Sequence, residues 1–282
     1  MPNTSKNPTI SIISANYNHG EFIREALDSV LLQKFGDYEY IIVDGASTDN
    51  SVEIIKEYAA KHPHIRWISE PDSGCEEAMQ KGMKMARGRY IMISTSTDGY
   101  LSRNWLARVA ETLDNDPSIA LVWGNPQNMG EDGSLGTVVW PEYLQNPPPQ
   151  KEQWCFAWLS ALENAMSPYK CPLPELNYCV RSDIYLSLIG DDPEFPELND
   201  IDQVYRFSFR FGRSGFMPYH LPIVANFGRT HRNRSQYSDF VRENEKKYFN
   251  AYRKYHAMLA SGACAHYIRD GSGNPIMQVT LS

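Results

Sequence analysis

The chain has 282 residues, 42% hydrophobic and 22% charged, enough apolar material for the core of one large domain or of a domain with an appendage. Its formal net charge of −7 argues against a nucleic-acid partner, which calls for a basic face, and no apolar run has bilayer-spanning length. Five scattered cysteines (Cys75, Cys155, Cys171, Cys179 and Cys264) form no C-x-x-C pair, so reduced thiols are expected rather than a disulfide framework or a zinc site. Residues 9–14 are a β-branched run that predicts a strand, and 21–33 place Phe22, Ala26, Val30 and Leu31 near helical spacing. A second strand is expected over 38–43. Asn50, followed by Glu53, reads as a variant capping box opening a helix through residue 60. A strand near 66–69, a helix over 76–86 with Gly88 just beyond it, and a strand over 89–93 follow; a helix over 104–115 and a strand over 119–123 come next. This order predicts an α/β fold with a mostly parallel sheet and helices on both faces.

Regularity breaks after Gly124. Residues 125–139, with Gly130, Gly133 and Gly136, suggest a hairpin, and the prolines at 147–149 lead into an aromatic stretch over 154–159. A strand over 178–181, helices over 182–189 and 201–211, and two strands around Phe216 and Val224 complete this part. A long helix over 235–259 carries Phe240, Val241, Tyr248, Phe249, Tyr252 and Tyr255, a stripe read as packing surface. The polar first eight residues lack the order of a signal peptide, so a cytoplasmic location is expected. Lys246, Lys247, Arg253 and Lys254 beside those aromatics leave two uses open, peripheral contact with the inner membrane face or packing.

Three strand-like segments deliver an acid to their carboxyl ends: Asp44, Asp72 and Asp98. Acids placed so line one rim of a parallel sheet, where open α/β folds bind ligands, and suggest a nucleotide and metal site. The first loop, Ala15-Asn16-Tyr17-Asn18-His19-Gly20, has neither a dinucleotide fingerprint nor a P-loop lysine. Its side chains would do the recognising, with Tyr17 as a stacking face and Asn16 and Asn18 as amide donors and acceptors; the alternative is that Asn18 and Gly20 only form a turn. Asp44 can accept from an imide N–H such as that of uracil, while Asp49 reads as part of a helix start. The basic run Arg229-Thr230-His231-Arg232-Asn233-Arg234 offers guanidinium groups to phosphate oxygens, or is a solvated surface.

Four blocks carry a family resemblance: Ile12-Ile13-Ser14-Ala15-Asn16-Tyr17-Asn18; Ile42-Val43-Asp44-Gly45-Ala46-Ser47-Thr48-Asp49; Ser69-Glu70-Pro71-Asp72-Ser73-Gly74; and Lys81-Gly82 with Ala86-Arg87-Gly88. In order and spacing they resemble the family 2 glycosyltransferases. The resemblance implies a GT-A fold, a nucleotide-sugar donor and transfer with inversion at the anomeric carbon. It divides the chain into a donor-binding half (1–124), an acceptor and catalytic-base half of the same domain (125–234), and a C-terminal helix and tail (235–282). The donor set it implies is Asn16, Tyr17, Asn18, Asp44, Ser47, Asp72, Gly74, Lys81, Arg229 and Arg234. Asp98 matches the second of two adjacent acids usual in the family, with Thr97 in place of the first. Asp98 is the expected contact for Mn2+ or Mg2+, with His231 as a second ligand.

The segment around Asn199-Asp200-Ile201-Asp202 resembles the acceptor region, which makes Asp200 the expected base, with Glu197 and Asp202 as substitutes and Asn199 where glutamate is common. The alternative is that Asp200 and Asp202 cap a helix. The expected function is transfer from a nucleotide-diphosphate sugar, UDP-linked by preference, to a hydroxyl of a saccharide or lipid-linked glycan. A catalytically silent binding module of the same fold is the rival, motivated by Thr97 and Asn199. A nucleotidyltransferase would want a glycine-rich basic first loop, which residues 15–20 do not supply. No motif speaks to oligomeric state.

Overall fold

The computed structural model describes residues 7–138, 177–201, 203–230 and 238–279, with side chains in the last span from 246 to 278. Strands β1 (Ile10–Asn16), β2 (Tyr38–Asp44), β3 (Ile65–Ser69) and β4 (Tyr90–Thr95) alternate with helices α1 (Ile23–Leu31), α2 (Ser51–Lys61) and α3 (Cys75–Met85). They form a parallel block ordered β3-β2-β1-β4, as the alternating pattern predicts. After the short β5 (Gly99–Tyr100) and α4 (Trp105–Asn115), β6 (Ile119–Met129) turns back through β7 (Leu135–Val138) as an antiparallel hairpin. Strand β8 (Tyr178–Arg181) inserts antiparallel between β4 and β6, and β9 (Met217–Arg229) runs parallel to β6, so the second half of the chain extends the same sheet. Helices α5 (Ser182–Leu188), α6 (Gln203–Ser214) and α7 (Ser238–Ala260) and a separate hairpin, β10 (His266–Arg269) with β11 (Pro275–Val279), complete the described chain.

Because successive strand residues point to opposite faces, the sheet buries two apolar layers. Ile13, Ile41, Val43, Ile91 and Ile93 face α3, α5, α6 and α7; Ile12, Tyr40, Ile42 and Met92 face α1, α2 and α4. Helix α3 lies so close to β1 that a Cβ on Gly82 would stand 2.3 Å from Ile13 Cγ2. Gly88 is equally confined, its missing Cβ falling 2.5 Å from the Ser11 nitrogen. The Lys81-Gly82 and Arg87-Gly88 motifs are therefore largely packing devices, and Arg87 joins Arg66 and Ser11 on the buried Glu39. Burial opposes ionisation of Glu39, but those hydrogen bonds outweigh it and hold its pKa below the ordinary value.

Two expectations need correction. Asn50 makes no side-chain cap; Asp49 does, accepting from the Ser51 N–H at 2.9 Å, while Asn50 is turned against Gly20. The two strands expected around Phe216 and Val224 are one strand, β9. Pro222 lacks an N–H to donate, and the register with β6 shifts there, from Trp123 opposite His220 to Asn125 opposite Val224. The hairpin of β10 and β11 is an element the sequence reading missed. The prolines at 147–149 and the aromatic stretch over 154–159 lie outside the described residues. Tyr248, Tyr252 and Tyr255 are buried against α6 and the 3-10 turn Pro196–Leu198, so these residues of the α7 stripe are packing surface; the side chains of Phe240 and Val241 lie outside those described. Lys247 and Lys254 point to the same loop, on Asp200 and on the Glu194 carbonyl, rather than away from the protein. No described helix is long and apolar enough to cross a membrane.

Candidate active site

The carboxyl ends of β1, β2, β3 and β4 bring the first two loops into one hydrogen-bonded unit. Asp44, closing β2, is 0% exposed and accepts from four donors: Asn16 Nδ2 at 2.6 Å, Ser47 Oγ at 2.5 Å, the Ser47 N–H at 2.9 Å and Ser69 Oγ at 2.7 Å. Asn18 reaches across from the β1 loop, with its Oδ1 accepting the Thr48 N–H at 2.8 Å and its own N–H on Ser47 Oγ at 2.8 Å. Both loops bend through the left-handed region, at Asn18 (φ 54°) and Ala46 (φ 60°). Asp49 fastens the far side, accepting the Gly20 N–H at 2.8 Å. Burial disfavours its charge, but the hydrogen bonds from Ser51 and Gly20 outweigh that and lower its pKa.

The Asp44 carboxylate is enclosed by these donors, so in this structure it shapes the rim. Asn16, 3% exposed, acts with it in the same way. Tyr17 is 57% exposed and offers a ring face, and Asp72, partly buried with its Oδ2 enclosed, sits over the second loop, where a Cβ on Gly45 would come within 3.0 Å of both its carboxylate oxygens. Asp72 Oδ1 accepts the Gly74 N–H at 3.0 Å, and Gly74, at φ 134°, opens α3. Lys81, expected among the donor contacts, instead braces this turn from below. Its Nζ donates to the Pro71 carbonyl at 2.9 Å and pairs with Glu70 at 3.1 Å and Glu77 at 3.3 Å.

Asp98 lies on the turn between β4 and β5. Its Oδ1 accepts the Arg229 N–H at 2.9 Å, and its own N–H donates to Thr95 Oγ1 at 3.2 Å. Beside it, Ser96 Oγ and His19 Nδ1 lie 2.8 Å apart, a link between the β1 and β4 loops that the sequence reading missed. The Arg229 side chain is turned into the protein in this structure. Buried between the rings of Phe22 and Phe227, its guanidinium is paired with Glu25 and donates to the carbonyls of Thr97 (3.3 Å), Gly130 (3.3 Å) and Glu131 (3.2 Å). It fixes α1, the Asp98 turn and the β6–β7 hairpin to one another. His231 and Arg234 lie outside the described residues.

The described residues contain no cluster of three metal-ligating side chains. The rim supplies Asp98, a hard oxygen donor whose orientation is set by a backbone N–H. A magnesium or manganese ion fits such a position when it takes one carboxylate and completes its shell with phosphate oxygens and water. Thr97 keeps its hydroxyl 3.1 Å from that of Thr95 and adds no carboxylate.

Asp200 stands apart, on the loop between α5 and α6. Its side chain is 68% exposed and accepts from Lys247 Nζ at 2.6 Å, which holds its pKa below the ordinary value. The loop is fastened at two places. Asp192, buried with Arg213, accepts the N–H groups of Glu194 and Phe195, and Asn199 Oδ1 accepts the Asp192 N–H at 2.7 Å. Asn199, which stands where the family commonly has glutamate, is thus committed to the loop itself. Glu197 lies 3.8 Å from Lys254, and Asp202 is outside the described residues.

The model for glycosyl transferase family 2 matches residues 11–155, just over half of the chain. Chondroitin synthase from Pasteurella multocida (strain Pm70) is 31% identical over 138 residues, which are 48% of this chain and 14% of that protein. Poly-beta-1,6-N-acetyl-D-glucosamine synthase from Staphylococcus epidermidis is 30% identical over 134 residues, again 48% of this chain, and 32% of that protein. The chain spans a third or less of the length of either relative. Two solved structures share the fold. S. aureus TarS 1-349 in complex with UDP-GlcNAc has a TM-score of 0.58 at 16% identity, covering 79% of this chain and 59% of that one. Mannosyltransferase PcManGT from Pyrobaculum calidifontis, in complex with GDP-Man and Mn2+, has a TM-score of 0.58 at 18% identity, covering 92% and 76%. With the first three motif blocks at the carboxyl rim of the sheet, the fourth packed against its strands, and the family model spanning all four, the chain belongs to glycosyl transferase family 2.

Proposed function

We propose that this chain is an inverting glycosyltransferase that moves a sugar from a nucleotide-diphosphate donor, UDP-linked by preference, to a hydroxyl of a saccharide or lipid-linked glycan. The observation that carries this reading is that Tyr17, Asp72 and Asp98 follow β1, β3 and β4 on one rim of the parallel block, with the Asp44 network behind it. Tyr17 offers the base a stacking face. Asp72 offers it, or the ribose, a carboxylate, and Gly74 keeps the approach to α3 open. Asp98 would hold a divalent cation, whose chemistry when bound is to offset the charge of the diphosphate. Relatives named as polysaccharide synthases, and a fold shared with structures containing UDP-GlcNAc or GDP-Man with Mn2+, agree with this assignment.

Asp200 is the proposed base. As the acceptor oxygen bonds to the anomeric carbon, the bond from that carbon to the phosphate oxygen breaks, its electron pair leaves with the diphosphate, and the hydroxyl proton passes to the Asp200 carboxylate. The test is release of UDP or GDP from UDP-hexoses, UDP-N-acetylhexosamines and GDP-mannose with Mn2+, with and without oligosaccharides. Asp200→Asn is expected to remove turnover and keep UDP binding; normal turnover in that variant refutes the base.

A second reading, a silent binding module, draws on Thr97 and on Asn199, whose side chain the Asp192 backbone occupies. Tight UDP binding without turnover of any donor would favour it.

A further inference from the structure

We infer that Arg206 is a positioning residue that sets the base loop against the donor loop; this rests on the reading of Asp200 as base. Arg206 lies in the first turns of α6, and its side chain is only 6% exposed. One guanidinium nitrogen donates to Glu76 Oε1 at 2.6 Å, and the other to the backbone carbonyl of Asn199 at 2.8 Å. Glu76 belongs to the first turn of α3, two residues beyond Gly74 and four beyond Asp72. Asn199 immediately precedes Asp200. A single buried cation therefore ties the first turn of α3, which follows the donor-side carboxylate, to the residue just before the base; Arg206 and Glu76 are 130 positions apart.

The remaining anchors of the base loop do not duplicate this one. Asp192 and Arg213 hold its beginning, and the Asn199 side chain closes it on itself through the Asp192 backbone. Lys247, from α7, donates to the Asp200 side chain. Among the described residues, the Arg206 fork is the hydrogen-bonded tie from the Asp200 end of the loop to the first turn of α3, beside the apolar packing of Leu198 and Ile201 in the core that also holds Ala78, Met79 and Met83. A planar guanidinium that bridges two acceptors in a fixed fork does this with little freedom, whereas lysine supplies a point charge and one of the two contacts. A general base works within hydrogen-bond reach of the proton it takes, and a misplacement near 1 Å costs a rate of about 10²-fold. The clamp thus acts on transfer and leaves the nucleotide contacts at Tyr17, Asp72 and Asp98 in place.

The experiment compares the full chain with Arg206→Lys, Arg206→Gln, Glu76→Gln and Asp200→Asn. UDP with Mn2+ is titrated by calorimetry, nucleotide release is followed with the donor panel above, and hydrogen exchange is measured for amides 195–201. Arg206→Gln is expected to leave the UDP affinity within about threefold, to slow release about 10²-fold, and to speed exchange of the base loop. Arg206→Lys should regain part of the rate. Glu76→Gln removes the same ion pair from its half-exposed partner and serves where Arg206→Gln does not fold. UDP affinity falling as far as the rate, or base-loop exchange unchanged in folded Arg206→Gln and Glu76→Gln, overturns the proposal. Full turnover in Arg206→Gln alongside an inactive Asp200→Asn overturns it while sparing the base; full turnover in Asp200→Asn defeats the base and the clamp together.

Discussion

Replacing Asp44 with asparagine separates a residue that builds the rim from one that reads the base. The carboxylate is fully buried, with two donors on each oxygen: Asn16 Nδ2 (2.6 Å) and Ser47 Oγ (2.5 Å) on Oδ1, the Ser47 N–H (2.9 Å) and Ser69 Oγ (2.7 Å) on Oδ2. An amide accepts at one oxygen only, so two donors meet an NH2 group whichever way it is turned. Hydrogen bonds to a charged acceptor contribute roughly 1.5–3 kcal/mol each, and losing two costs about 3–6 kcal/mol. A hydroxyl that rotates to accept from the new NH2 recovers about 1 kcal/mol. The expected loss is then about 2–5 kcal/mol, a large share of a typical stability of about 5–15 kcal/mol. In urea the midpoint should fall with an unchanged slope, and the melting temperature should drop by on the order of 10 °C. Stability within about 1 kcal/mol of wild type, combined with collapse of UDP affinity, would refute the reasoning and place Asp44 against the base.

Gly45→Ala tests the seat of Asp72. The added methyl would stand 3.0 Å from both carboxylate oxygens, so Asp72 must shift, and UDP affinity should fall roughly tenfold, about 1.4 kcal/mol, with the melting temperature little changed. Unaltered affinity would remove Asp72 from the donor contacts. Lys247→Met tests the charge on Asp200. Lys247 lowers that pKa, so the carboxylate is ionised over a wider acid range; without Lys247 the acid limb of kcat/KM should move to higher pH, towards the ordinary aspartate value. An acid limb that does not move would mean that another group sets it.

The parallel block was legible because it depends on local pattern. Strands with an acid at the carboxyl end and helices with apolar spacing announce themselves over ten residues, and Asp44, Asp72 and Asp98 do lie at strand ends or the turns that follow. What each charge does there was not legible. In sequence Arg229 reads as a phosphate ligand and Lys81 as a donor contact, but their partners, Glu25 and the Pro71 carbonyl, are decided by packing between separate segments. Asp44 reads as a free acceptor until Asn16, Ser47 and Ser69 converge on it. Asn50 matched a cap by type, yet the neighbouring Asp49 reaches the helix N–H first. The two strands expected around Phe216 and Val224 are one because the sheet absorbs Pro222, which cannot donate to a ladder, as a shift of register. Arg206 carried no local signal, since both of its partners come from other turns of the fold.

The rim is most directly tested by calorimetric titration of UDP into the wild-type chain and into Asp98→Asn, each with and without Mn2+. Manganese is expected to tighten UDP binding at least tenfold in the wild type, about 1.4 kcal/mol, and to have little effect in Asp98→Asn, while metal-free affinity stays similar in both. Equal tightening by manganese in the two proteins, or no UDP binding to the wild type, would contradict a donor site built around Asp98.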